Sequence, residues 1–175
     1  AFETALYLSN EQKIGTRLTL VYGLRWSGFA QIGPGTVYDY PNDQPVDPEN
    51  PATAIAPSDS TVYNAGDIVR SFGGIEPRFS ANFQLNEVSS VKASYNRMRQ
   101  YIHLISNTTA ATPVDIYMPS GKFIQPAIAD QVGLGYFRNF FNNRYESSVE
   151  VYYKQFQNLV DYKDEAELLL NNTLE

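Results

Sequence analysis

Residues 16–29 read TRLTLVYGLRWSGF. Leu18, Leu20, Tyr22, Leu24 and Trp26 fall on one parity; Arg17, Thr19, Gly23, Arg25 and Ser27 fall on the other, with Val21 the exception. An apolar-polar period of two marks a strand with two unlike faces. The segment is also long enough for the 9–11 residues that a tilted strand needs to cross a bilayer.

The same pattern recurs along the chain. Residues 2–9 put Phe2, Leu6 and Leu8 on one parity before a polar turn at Asn10-Glu11-Gln12-Lys13 that ends with Gly15. Residues 73–85 alternate Ile75, Phe79, Ala81, Phe83 and Leu85 with Glu76, Arg78, Ser80, Asn82 and Gln84. After a short turn at 86–89, residues 90–102 set Val91, Ala93 and Tyr95 against Lys92, Ser94 and Asn96. Residues 130–138 and 144–156 repeat the alternation about a turn at Asn139 to Asn143, with Val132, Leu134, Val149 and Val151 on the apolar side and Glu146, Ser148 and Glu150 on the polar side.

Between these hairpins lie two long connections, about 30–72 and 103–129, rich in Pro, Gly, Asp and Asn and without a strand or helix period. Such loops are usually functional or disordered. Short turns alternating with long loops predict an all-β, antiparallel up-and-down transmembrane β-barrel, with short periplasmic turns and longer extracellular loops. The apolar parity is expected outward in lipid; the polar parity, including Arg17, Thr19, Arg78, Asn82, Lys92 and Glu146, is expected to line the lumen. Aromatics support this, with Trp26, Phe29, Tyr101 and Tyr153 near the long-loop end and Phe83, Tyr136, Phe140, Phe141 and Tyr145 near the short-turn end, as two interfacial belts require. Six strands are fewer than the eight of the smallest usual barrel, so the sequence predicts a segment of about six strands from a larger barrel, with 1–175 as one partial barrel domain.

Composition narrows the function classes. Aromatics make up 14% of the chain, with 13 Tyr and 10 Phe, an enrichment that favours strands. Mean hydropathy is −0.34, and no apolar run approaches the length of a membrane-spanning helix. A net charge of −6 argues against a nucleic-acid partner. There is no cysteine, hence no disulfide framework or thiolate site. Ala1-Phe2-Glu3-Thr4 does not begin a signal peptide, which suits an internal segment.

Residues 5–29, 73–121 and 129–164 together resemble the barrel of TonB-dependent receptors of the Bacteroidetes type, through EPR at 76–78, KASYNR at 92–97 and ADQ at 129–131. The resemblance implies a bacterial outer-membrane active transporter that imports a scarce nutrient with TonB-derived energy, built as a barrel of 22 strands around an N-terminal plug. The implied partners are outer-membrane lipid, the remaining barrel strands and plug of the same receptor, and TonB through that plug, which this sequence does not contain. The resemblance leaves open a surface lipoprotein over the receptor. A passive porin, or a soluble carbohydrate-binding β-sandwich, would share the strand pattern.

No catalytic residue, cofactor or metal site is predicted. Glu146 and Glu150 share a lumen-facing parity, where a solvated or plug-contacting role outweighs acid-base work. Asp39, Asp43, Asp47 and Glu49 lack the glycine-centred spacing of a calcium loop. Asn107-Thr108-Thr109, Asn171-Asn172-Thr173 and Asp59-Ser60-Thr61 match glycosylation patterns that recur by chance. The residues best able to stack on or hydrogen-bond a ligand are Tyr38, Tyr40, Tyr63, His103, Tyr117 and Phe123 in the loops, with Arg25 and Glu76 in the upper lumen.

Overall fold

A computed structural model describes residues 1–45, 55–105, 116–142 and 144–160. Six long strands form one antiparallel sheet: β1 (Phe2–Ile14), β2 (Leu18–Ile32), β5 (Ile68–Asn86), β6 (Ser89–Gln100), β9 (Ala127–Phe140) and β10 (Tyr145–Gln157). They lie side by side in that order, each next to its neighbour in the chain, with β1 and β10 at the two edges. The long connections carry a small hairpin each, β3 (Gly35–Asp39) with β4 (Asp59–Tyr63) and β7 (Ile102–Ile105) with β8 (Ile116–Pro119).

The register fixes which side chains share a face. Asn10, Tyr22, Phe79, Tyr95, Val132 and Tyr153 form one continuous row across all six strands. Ser9, Gly23, Arg78, Asn96, Gln131 and Lys154 form the adjoining row on the opposite face. Leu18, Leu20, Leu24, Phe79, Ala81, Val132, Leu134, Val149 and Val151 therefore share one side, and Thr19, Arg78, Asn82, Lys92, Glu146 and Ser148 the other, as the alternation predicts. Arg17 sits in the turn before β2. Concavities open on the polar side, around Thr19, Asn82, Gln84 and Phe137 and around Gly23, Arg25, Arg78 and Asn96, the side expected to form the inner wall.

Among the described residues nothing packs on the apolar side. Leu24 keeps 52% of its surface and Val151 63%, although burying such a side chain is worth about 1.5–3 kcal/mol. The apolar band also runs obliquely across the sheet. On β1 it is Phe2, Leu6 and Leu8, interrupted by Asn10 and Gln12, with Ile14 alone at the turn; on β10 it is Tyr145, Val149, Val151 and Tyr153. Val149 shares a row with Ile14, eight residues along β1 from Leu6. Five steps between strands spaced about 4.8 Å apart and tilted near 45° would displace a horizontal band by about seven residues. The slant of the band is thus the strand tilt of a membrane barrel. With free backbone edges at β1 and β10, which lipid does not tolerate, the sheet is a segment of a larger barrel.

The turns follow from local chemistry. Gly15 adopts φ +63° between β1 and β2, Asn86 Oδ1 accepts the Val88 N–H at 3.0 Å between β5 and β6, and Phe141 and Asn142 take left-handed φ of 52° and 53° before β10. The first turn occupies 15–17, so Asn10-Glu11-Gln12-Lys13 continue β1 instead of turning. Their polarity reflects an interruption of the band, not a chain reversal. Asn139 likewise belongs to β9.

The strands reach further above the band than the sequence pattern suggests. The β2–β5 ladder runs on through Gly28 opposite Gly73 and Phe29 opposite Phe72 to Ile32 opposite Ile68, so the first long connection narrows from 30–72 to 33–67. Glycines at 28, 73 and 74 carry no side chain to alternate, which hid the extension. Trp26 lies over Gly28 and Gly73 on the outer face, and a Cβ on Gly28 would come 2.7 Å from its ring. β9 similarly starts at Ala127, inside the predicted 103–129 loop. Phe29 and Tyr101 do not join the upper aromatic belt: they stack on the inner side, centroids 5.4 Å apart and planes 7° off parallel.

Candidate functional site

Above the band, the inner ends of the strands and the two loop hairpins build one assembly. Its base is a buried hydrogen-bonded chain on the inner wall. Ser27 Oγ donates to Glu76 Oε1 at 2.5 Å, and the Tyr101 hydroxyl lies 2.8 Å from Ser27 Oγ and 3.2 Å from its carbonyl. Ser27, Glu76, Phe29 and Tyr101 are all buried. The end of β6 is thereby fastened to β2, where β5 and β6 are no longer paired: their ladder ends at Arg78 opposite Asn96.

Tyr101 passes this anchorage to the second hairpin. Its carbonyl accepts the Ser120 N–H at 2.7 Å, and Ser120 Oγ lies 3.1 Å from His103 Nε2. Both Ser120 and His103 are buried, and that burial holds the His103 pKa below the ordinary imidazole value. The segment after β8 then reaches across to the first hairpin. Lys122 Nζ is 2.6 Å from Asp39 Oδ1 and 2.7 Å from Asp43 Oδ1. The hydrogen bonds it donates to Asp39 and Asp43 raise the lysine's pKa. Tyr40, buried, meets Phe123 edge-on with centroids 5.6 Å apart.

Two small recesses flank this crossing. One, of about 240 Å³, lies among Gln31, Asp39, Tyr63, Arg70 and Lys122. The other, of about 160 Å³, lies among Gln31, Tyr117, Met118, Lys122 and Phe123. Both include Gln31 and Lys122, so the crossing divides one polar recess with aromatic edges. Amide, guanidinium and phenol groups around aromatic faces suit a polar ligand that also offers a flat or apolar surface.

A family model described as TonB dependent receptor-like, beta-barrel, matches residues 1–171. The chain belongs to this family. No curated protein and no solved structure matches it. TonB-dependent receptors are bacterial outer-membrane proteins that carry out TonB-linked transport; members of the family are transporters and not enzymes. The membership agrees with the oblique apolar band and the open-edged sheet.

Within this receptor barrel, the eight residues singled out in the sequence separate into two groups. Tyr38 and Tyr117 are exposed, Tyr63 and Phe123 line the recesses, and Arg25 lines the inner wall. Tyr40, His103 and Glu76 are buried, held by Phe123, Ser120 and Ser27 respectively. Sequence reading did not find Lys122, Gln31, Arg70, Ser27 or Ser120. Of these only Lys122, a lone cation in a loop otherwise short of them, offered a signal. Among the described residues no cluster of three metal-ligating side chains occurs; Asp39 and Asp43 are engaged by Lys122, and Asp47 and Glu49 lie outside the described residues. So do Asn107-Thr108-Thr109 and Asn171-Asn172-Thr173, whereas Asp59-Ser60-Thr61 forms part of β4.

Proposed function

We propose that this barrel segment belongs to a Bacteroidetes-type receptor that imports a scarce nutrient, and that the two joined long loops recognise it above the lumen. Tyr38, Tyr63, Tyr117 and Phe123 would supply the aromatic and hydroxyl contacts, with Arg25 and Glu76 in the wall below. The observation that carries this reading is the joining of the loops across Lys122 and Asp39. Segments that only closed the barrel top would not need to share a recess, whereas a rigid barrel holding joined loops over a cavity is a recognition scaffold. A passive porin would need no such assembly. The plug, TonB and a surface lipoprotein would act on the parent receptor.

Deleting 36–66 from the intact receptor tests the reading. Receptor-dependent uptake should be lost while the barrel keeps its heat-modifiable electrophoretic mobility. Unchanged uptake would place recognition in the plug or in other strands.

A further inference from the structure

A second feature of the inner wall lies below the loops. Arg25 and Glu76 are direct cross-strand partners on β2 and β5, and Arg78 follows two residues along the same face. Glu76 Oε2 is 3.8 Å from Arg25 Nε and 4.0 Å from Arg78 Nη2. Both distances permit charge attraction, yet exceed the roughly 2.7–3.2 Å of an N–H···O hydrogen bond. The other carboxylate oxygen is already taken by Ser27. Arg25 Nε has no solvent contact and, among the described residues, no hydrogen-bond partner. Two guanidinium groups, each with five donors, thus share one buried carboxylate that hydrogen-bonds neither, leaving a net positive charge.

The Arg25 and Arg78 side chains border a concavity of about 410 Å³ with no acidic side chain among its described lining residues. Gly23, the cross-strand partner of Arg78, also lines it; a Cβ there would come 2.8 Å from the Leu8 carbonyl oxygen. Ser9, Ser80 and Asn96 add neutral hydrogen-bonding groups at its sides. Planar guanidinium forks match the oxygens of carboxylate and phosphate.

We propose that Arg25 and Arg78 form a two-guanidinium seat on the lumen wall for an oxyanion, either a carboxylate or a phosphate group. An ion-pair role alone does not account for the long contacts or the excess charge. The anion could be borne by an acidic group of the same receptor facing this wall, or by a solute in the lumen. The proposal rests on the reading of this face as the lumen wall that includes Arg25, and it is tested without uptake, so the two can fail separately.

The test is arginine modification by phenylglyoxal in the intact receptor in detergent, read residue by residue by mass spectrometry, with the exposed Arg144 as internal reference. If the receptor supplies the anion, Arg25 and Arg78 will be slow at low salt and about tenfold faster in about 1 M sodium chloride, where the screening length falls to roughly 3 Å. If a solute supplies it, their rates at low salt will fall about tenfold on adding saturating inorganic phosphate or acetate. Either response, beyond that of Arg144, supports the seat and identifies the source. Rates that neither salt nor either anion changes would overturn it. So would an Arg25 response that survives undiminished in Arg78→Gln.

Discussion

Lys122 Nζ reaches Asp39 Oδ1 at 2.6 Å across 83 residues of chain, and this contact makes one assembly of the two long loops. Asp43 accepts from the same ammonium at 2.7 Å, and Lys122 also lies 5.2 Å from the centre of the Phe123 ring. One cation therefore joins the first hairpin to the segment after the second.

Replacing Lys122 with Ala should uncouple the hairpins. Amide exchange in β3 and β4 is expected to quicken several-fold while exchange in β5 and β6 stays unchanged, and raised salt should mimic the effect in the unsubstituted receptor. Lys122→Arg should restore most of the protection. Equal exchange in the Ala and unsubstituted proteins would show that Tyr40 and Phe123 suffice to join the loops.

Tyr101 offers a graded test of the anchorage beneath. Tyr101→Phe keeps the stack on Phe29 but removes the hydroxyl beside Ser27, a loss of about 0.5–1.5 kcal/mol. Tyr101→Ala also removes the buried ring and should cost about 3–5 kcal/mol locally. Because Tyr101 carries the Ser120 N–H, both losses should appear in β7 and β8 exchange before they appear in barrel melting.

The barrel strands were legible because lipid and lumen impose opposite chemistry on successive residues. From Leu18 to Trp26 that demand holds at nearly every position, and the register follows it. It lapses above the band, where Gly28, Gly73 and Gly74 continue the ladder without side chains to report it. The site was less legible for a different reason. Lys122 meets Asp39, and Tyr101 meets Ser27, only through the pairing of strands far apart in sequence, so no local pattern marks them. Aromatic loop residues could be listed as ligand contacts, but whether a tyrosine is buried like Tyr40 or exposed like Tyr117 depends on that pairing.

His103 should make the second hairpin pH-sensitive. Burial favours the neutral ring, so its pKa in the folded loop is below that of the free side chain, about 6.5. Above that value the ring is neutral in both states and pH has no effect. As pH falls below it, the opened loop takes up a proton that the closed loop resists, and closure weakens. Ser120 Oγ can accept from a protonated ring, so desolvation and not a lost hydrogen bond drives the change. Protection of the β7 and β8 amides, taken relative to their intrinsic exchange rates, should be flat above neutrality and fall on acidification, and His103→Asn should abolish that dependence. A pH-independent profile in the unsubstituted receptor would contradict the assignment.

Leu20 and Val21 give the sharpest test of sidedness, because they are adjacent in sequence and opposed in space. Leu20 lies in the row of Ala81, Ala93, Leu134 and Val151, within the apolar band. Val21 lies opposite Ser80, in the row of Ser94 and Gly133 on the inner wall. An arginine at position 20 must place its charge in hydrocarbon, at a cost of about 2–4 kcal/mol near the midplane. The same side chain at position 21 enters a hydrated lumen beside serines and should cost little. In the intact receptor, Leu20→Arg should reduce the yield of heat-modifiable barrel in the outer membrane and Val21→Arg should leave it near the unsubstituted level. Steric bulk and lower strand propensity act on both variants alike, so the difference between them reports the environment of each face. If Val21→Arg is the damaging change, the faces are reversed, and the polar rows from Ser9 to Lys154 would have to lie in lipid.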